Sequence, residues 1–204
     1  MDFLRSRAAG ATLEIGNVLN HYAAFQHTVV DKYELGDGVT NVDVCDFEPA
    51  HKFNSIISVS TIEHVGWDEE PFDSGKAICA ASQMLLPTGG MLITFPIGHN
   101  PSIDQAMQNG TLGCSDLRCI KRISGSDWVE VPVQQLAGCC LDPPYRRGGG
   151  AYRRVKAVAF AYFGPKETSS PSIGTAPEPL ADNFSPLCQE KTTHHNFSGA
   201  SRFL

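Results

Sequence analysis

Three acids and one glycine turn are the residues whose types and spacing could do chemistry here. Glu14-Ile15-Gly16 closes an apolar stretch that begins at Ala11. Asp31 closes Thr28-Val29-Val30, fifteen residues after Gly16. Asp43 stands near the end of Val39-Thr40-Asn41-Val42-Asp43-Val44, with Asp46 just beyond. Short β-branched runs bounded by Gly and Asp read as strands. In a parallel sheet their ends are neighbours. An acid ending the second strand is placed to accept hydrogen bonds from both ribose hydroxyls of a nucleoside, and one ending the third can accept from an adenine amino group. That arrangement describes a site for an adenosine-containing cofactor. The same acids could instead cap turns and helices, and spacing alone leaves both readings open.

The absent patterns narrow the choice. G-x-G-x-x-G does not occur, because Gly16 is followed by Asn17-Val18-Leu19-Asn20, which counts against a nicotinamide-dependent oxidoreductase. No G-x-x-x-x-G-K-[ST] exists, so a P-loop is excluded. An acid two residues before the glycine, Glu14-x-Gly16, suits S-adenosylmethionine, whose amino-acid and sulfonium parts can lie over the turn with no pyrophosphate to cradle.

A second group follows a later strand, in Ser60-Thr61-Ile62-Glu63-His64. An imidazole titrates near pH 6.5 and suits proton transfer around neutrality, so His64 is the candidate base. Its structural alternative is a histidine closing the turn. Glu63 could hydrogen-bond cofactor or substrate, or serve as an acid at a helix start. His99, in Gly98-His99-Asn100-Pro101, could line the acceptor side or be an exposed loop residue. Trp67 and Trp128 could stack on a planar acceptor, although packing is the default for both. Arg146-Arg147 and Arg153-Arg154 around Gly148-Gly149-Gly150 could hold an anion or be solvated.

The elements that must position these groups alternate. Strands are expected over 11–16, 28–31, 39–44, 53–60 and 91–95, with helices over 18–25 and 71–86. Two further strands, 117–123 and 128–133, surround Ser124-Gly125-Ser126, and a last one covers 155–163. Gly98–Pro101 reads as the start of a loop. This order predicts an α/β three-layer sandwich, with a mostly parallel sheet between helices. Its strands should end on one edge, where ligands bind. From Pro165 to Leu204 the chain is rich in Ser, Thr, Pro, Asn and Gly without apolar period, and a disordered tail is expected there, leaving 1–164 as the folded domain.

Composition sets the outer bounds. The 204 residues are 42% hydrophobic and 19% charged, with a net charge of −6. The acidity argues against a protein that coats nucleic acid. No run of 18 apolar residues suggests a membrane span, and Met1-Asp2-Phe3-Leu4-Arg5 lacks the apolar stretch of a secretory signal, so a cytoplasmic chain is expected. Cys114, Cys119 and Cys139-Cys140 contain no C-x-x-C pair, so thiols rather than a metal site are expected of the seven cysteines.

Five segments in order resemble the motifs of class I S-adenosylmethionine-dependent methyltransferases, over about residues 11–96. Leu13-Glu14-Ile15-Gly16-Asn17 is similar to the first motif, and Val29-Val30-Asp31 to the strand that ends in the ribose-binding acid. Asn41-Val42-Asp43-Val44-Cys45-Asp46-Phe47 resembles the adenine-side motif. Ser58-Val59-Ser60-Thr61-Ile62-Glu63-His64-Val65 resembles the fourth-strand motif, and Leu85-Leu86-Pro87-Thr88-Gly89-Gly90 the turn before strand five. The resemblance implies a Rossmann-like sheet of seven strands, the last inserted antiparallel. It implies S-adenosylmethionine as cofactor and an unidentified small molecule as methyl acceptor. Glu14, Gly16 and Asn17 would lie by the methionine end, Asp31 at the ribose, and Asp43, Val44, Asp46 and Phe47 around the adenine. Ser60, Glu63 and His64 would sit near the transferred methyl group.

The sequence departs from that family in places. Val18 and Asn20 stand where further glycines are usual, and Asn54 where the fourth-strand motif usually has Asp. Only ten residues precede the first strand, so a domain incomplete at its N-terminus is expected. These departures motivate an alternative: a catalytically inactive methyltransferase fold serving as a binding or scaffold module.

Overall fold

The apolar runs become the middle of one sheet. In the computed structural model, which describes residues 10–65, 74–139 and 155–165, eight strands run β1 Thr12–Ile15, β2 Thr28–Val30, β3 Val39–Thr40, β4 Phe53–Val59, β5 Leu85–Pro96, β6 Asp116–Ser124, β7 Asp127–Val131 and β8 Ala157–Phe163. Two helices, α1 Ser74–Gln83 and α2 Pro101–Gln108, accompany them. The spatial order is β3-β2-β1-β4-β5-β8-β6-β7. Pairings among β1 to β5 are parallel, whereas β8 pairs antiparallel with both β5 and β6. This is an α/β Rossmann-like sheet with its last strand inserted antiparallel. The β6–β7 hairpin adds an eighth, edge strand to the seven that the resemblance implied.

The central strands β1, β4 and β5 carry a single charged residue, Glu14, because both of their faces are covered. Leu13, Phe53, Ile56, Met91, Ile93 and Phe95 are fully buried. From α1, Ala77, Ile78 and Ala81 join the same core. Burying each large apolar side chain contributes about 1.5–3 kcal/mol. The register pairs Ile15 with Val30 on one side and Ser58 on the other. Residues just after β1, β2 and β4 therefore meet at one edge.

Several expected boundaries move. The helix expected over 18–25 is only a 3-10 turn, Leu19–His21, which buries no residue and so has no packing to sustain further turns. The helix expected to reach residue 86 ends at Gln83, because Leu85 already pairs with Phe53. Residues 71–73, its expected start, lie outside the described residues. Strand β5 accordingly begins six residues before the expected Met91, and its register shifts against β4 between Phe53 and Ser55. Gly89 sits at that irregularity, where a Cβ would come within 2.9 Å of the Leu86 carbonyl oxygen and 3.0 Å of that of Phe53. The expected loop from Gly98 leads directly into α2. Asn100 caps this helix, its side chain accepting from the Ser102 N–H at 3.0 Å, and Pro101 takes the first turn, where its missing N–H costs nothing.

Cys45, Cys114, Cys119 and Cys139 are free thiols, but Cys79 is disulfide-bonded, against the expectation of thiols throughout. Among the described residues no group of His, Cys, Asp or Glu could hold a metal ion, and no helix is long and apolar enough to cross a membrane. The tail expected over 165–204 lies, apart from Pro165, outside the described residues, as do Trp67 and Arg146, Arg147, Arg153 and Arg154.

Candidate functional site

The parallel half of the sheet opens a cleft at its carboxyl edge, of about 470 Å³ counting space open to solvent. Ile15 and Gly16 line it from the β1 exit, and Val30, Asp31, Lys32 and Tyr33 from the β2 exit. Val42, Asp43 and Val44 contribute from the segment after β3, and Thr61, His64 and Val65 from the β4 exit. It lies where ligands bind in open α/β sheets.

Gly16 makes the close approach of two exits possible. Its φ of +86° is left-handed, and a Cβ there would fall 2.2 Å from Thr61 Oγ1. Only glycine tolerates both conditions. Its N–H donates to the Val30 carbonyl at 2.8 Å, locking the turn to β2.

Asp31 uses one carboxylate oxygen locally. Its Oδ1 accepts from the Tyr33 and Glu34 N–H groups at 2.8 and 2.7 Å, a turn-capping arrangement. Among the described residues nothing donates to Oδ2. The turn-capping reading of the spacing therefore holds for Oδ1.

Asp43 is also divided. Its Oδ1 accepts from the Cys45 N–H at 2.9 Å, and its Oδ2 lies 3.1 Å from the Lys32 ammonium. Partial burial pushes its pKa up, but the Cys45 N–H and the Lys32 charge outweigh that and hold the carboxyl below its ordinary value.

Other expected site residues stand apart from the cleft lining. Glu14 is fully buried: Oε1 accepts from the Val18 and Leu19 N–H groups at 2.9 and 2.7 Å, and Oε2 lies 2.5 Å from His27 Nε2. Asn17 donates from Nδ2 to Glu34 Oε1 at 2.7 Å and accepts from Asn20 Nδ2 at the same distance. Asp46 is exposed, its N–H bonded to the Asp43 carbonyl at 2.9 Å. Phe47 packs against the hydrophobic core.

The β4 exit forms the other side of the cleft, and the β5 exit packs behind it. Ser60 is exposed and left-handed at φ +48°, the one such non-glycine among the described residues, and its N–H donates to the Thr94 carbonyl at 2.9 Å. Such strain at an exit next to a cleft is typical of functional sites. His64 is half-exposed at the cleft wall, its ring centroid 4.3 Å from that of His99 in an edge-on arrangement. Glu63 is fully buried, and neither of its carboxylate oxygens has a hydrogen-bond partner. Burial pushes its pKa up to about 8, although Oε1 lies 4.0 Å from His64 Nε2.

Asn100 ties the β5 exit to this turn by donating to the Glu63 carbonyl and the Ser74 hydroxyl, both at 2.9 Å. Asp104 accepts from the Gly98 N–H at 2.7 Å, and burial pushes its carboxyl up as well. Trp128 is remote from the cleft, on β7, under the Arg122 guanidinium at 4.4 Å.

Sequence reasoning missed Lys32, Tyr33, Thr61 and Val65 as cleft residues, although each directly follows a segment it placed at the edge. It also missed His27, whose thirteen-residue separation from Glu14 carries no signal.

No family model matches the chain, and no curated protein does. Solved structures are similar to it. The N-methyltransferase NodS from Bradyrhizobium japonicum WM9, in complex with S-adenosyl-L-homocysteine, is 17% identical, with 80% of this chain and 82% of that one covered and a TM-score of 0.43. A SAM-dependent methyltransferase from Thermotoga maritima, a possible histamine N-methyltransferase, is 11% identical, with 74% and 81% covered and a TM-score of 0.40. The glycopeptide N-methyltransferase MtfA is 12% identical, with 80% and 88% covered and a TM-score of 0.37. At these identities and scores none of them assigns an activity to this chain.

Proposed function

We propose that the chain is an S-adenosylmethionine-dependent methyltransferase acting on a small-molecule acceptor. The observation that carries this reading is the convergence of Gly16, Asp31, Asp43 and His64 on one cleft from four separate strand exits.

The residues fit the cofactor. Asp31 Oδ2 faces no other donor among the described residues and suits a pair of vicinal hydroxyls. Asp43, kept ionised, can accept an amino group once Lys32 yields its place. The side-chain-free turn at Gly16 lets a ligand lie against backbone. When bound, the cofactor supplies an activated methyl group on a sulfonium with a good leaving group.

The protein's own work is therefore positioning. Holding an acceptor in line can supply much of the barrier reduction without covalent help. Where the acceptor must lose a proton, His64 at the cleft wall takes it on a ring nitrogen. His99 supports that ring from the β5 side. Burial pushes the Glu63 pKa up to about 8, so at pH 7 this carboxyl is largely neutral and adds little charge beside the imidazole.

Thermal denaturation with added S-adenosylhomocysteine tests the proposal. Ligand at about 100 times its Kd should stabilise the fold by about 2.7 kcal/mol, and Asp31→Ala should remove about half of that or more. An unchanged melting temperature at saturating ligand would remove the reading. His64→Ala should lower turnover by a larger factor than it weakens S-adenosylhomocysteine binding, read by comparing kcat with Kd.

A further inference from the structure

We propose that His27 is a positioning residue for the loop Gly16–Leu19, acting through Glu14. The assignment rests on reading the cleft as an adenosyl-cofactor site.

The Glu14 and His27 side chains are 0% and 4% exposed, and they meet at 2.5 Å through Oε2 and Nε2. The other carboxylate oxygen accepts from two consecutive loop amides, Val18 and Leu19, at 2.9 and 2.7 Å. Glu14 therefore links His27 to the loop that starts at Gly16, a cleft-lining residue, without lining the cleft itself. The His27 ring is set by Phe25, edge-on at a centroid distance of 5.9 Å and an interplanar angle of 79°.

The link has a consequence for the loop's path. Val18 and Asn20 carry side chains, so that path cannot depend on glycine freedom after Gly16. It depends on a buried carboxylate collecting two N–H groups, and a buried carboxylate needs donors on both oxygens to stay ionised and fixed. Among the described residues, His27 is the one donor to Oε2. Without it, the Glu14 carboxylate would be free to rotate, releasing the Val18 and Leu19 amides. Gly16, held on its other side by the Val30 carbonyl, would then lose half of its support.

The test uses the full chain and His27→Ala, His27→Gln and His27→Asn, with Val131→Ala at the β7 edge as a control for general destabilisation. Amide hydrogen exchange reads the loop, and calorimetry with S-adenosylhomocysteine reads the cleft. His27→Ala should speed exchange at Val18 and Leu19 by at least about tenfold beyond any uniform change, and weaken ligand binding by about tenfold or more. His27→Gln, whose carboxamide N–H can donate to Oε2, should recover most of both losses. Val131→Ala should produce neither. If His27→Ala does not fold, the pair Gln and Asn carries the comparison, since Asn is too short to reach.

Loop exchange and affinity both unchanged in His27→Ala, or both no better in His27→Gln than in His27→Asn, would overturn the proposal. A wild-type chain that binds no S-adenosylhomocysteine would overturn the reading of the cleft, and the exchange arm would still decide whether His27 holds the loop.

Discussion

Two buried glutamates occupy the neighbouring exits of β1 and β4 and are treated in opposite ways. Glu14 has a donor on each oxygen, from two loop amides and His27. Glu63 has no hydrogen-bond partner on either, and only a histidine nitrogen 4.0 Å away. The first exit is tied down through both carboxylate oxygens. The second stores a desolvation cost that is relieved only when the carboxyl holds a proton, so its pKa rises to about 8. The cleft lies between these two exits, with one carboxylate fully hydrogen-bonded behind one wall and an unpartnered one buried behind the other.

The largest effect should come from Gly16→Ala, which strains a left-handed residue and drives a methyl into Thr61 at once. Strain and overpacking together should cost about 3–5 kcal/mol by denaturant unfolding. The double variant Gly16→Ala with Thr61→Ala should recover only part of the overpacking share, because Thr61 Cβ itself would lie 2.9 Å from the added methyl. Next comes Glu14→Gln, which breaks the buried pair with His27. We expect a loss of about 3 kcal/mol at pH 7 and a weaker response to S-adenosylhomocysteine. Equal stability to wild type would mean that the β1 exit does not depend on the Glu14–His27 pair.

Glu63→Gln should act with the opposite sign. Because the folded pKa lies above the ordinary value of 4.5, the native state holds a proton that the unfolded chain has lost between about pH 4.5 and 8. Wild-type stability from this group is therefore complete at low pH and falls as pH rises through that window. The glutamine variant should be matched to wild type near pH 4.5 and more stable at pH 8 by about 2–4 kcal/mol. A pH-independent difference would place the pKa elsewhere. The smallest effect belongs to Arg118→Ala on the β6–β7 hairpin, where the exposed pair with Glu130 should leave the melting temperature unchanged.

The strand exits were legible in the sequence because β-branched runs ended by Gly or Asp mark both the strand and its terminus. That is why Gly16, Asp31 and Asp43 could be placed on one edge before any fold was known. What each acid does there was not legible. Glu14 turned inward because His27, thirteen residues away on the crossover to β2, supplies a donor, and no local pattern announces such a pair. Phe47 joined the core for the same kind of reason: which face a loop aromatic takes depends on what the sheet presents to it.

The helix α2 was missed because Asn100-Pro101 reads as a loop start, although Asn before Pro is also how a helix begins. The early start of β5 was hidden by Pro87 and the glycine pair after it, which signal a turn unless the partner strand is bulged.

The central claim is that the Gly16–Asp31–Asp43 wall holds an adenosyl cofactor. Calorimetric titration of the full chain with S-adenosylhomocysteine, wild type beside Asp31→Ala, tests it most directly. The account predicts saturable one-to-one binding by wild type and affinity lower by about tenfold or more in the variant. No binding heat in the wild type, or equal affinity in both, would contradict it.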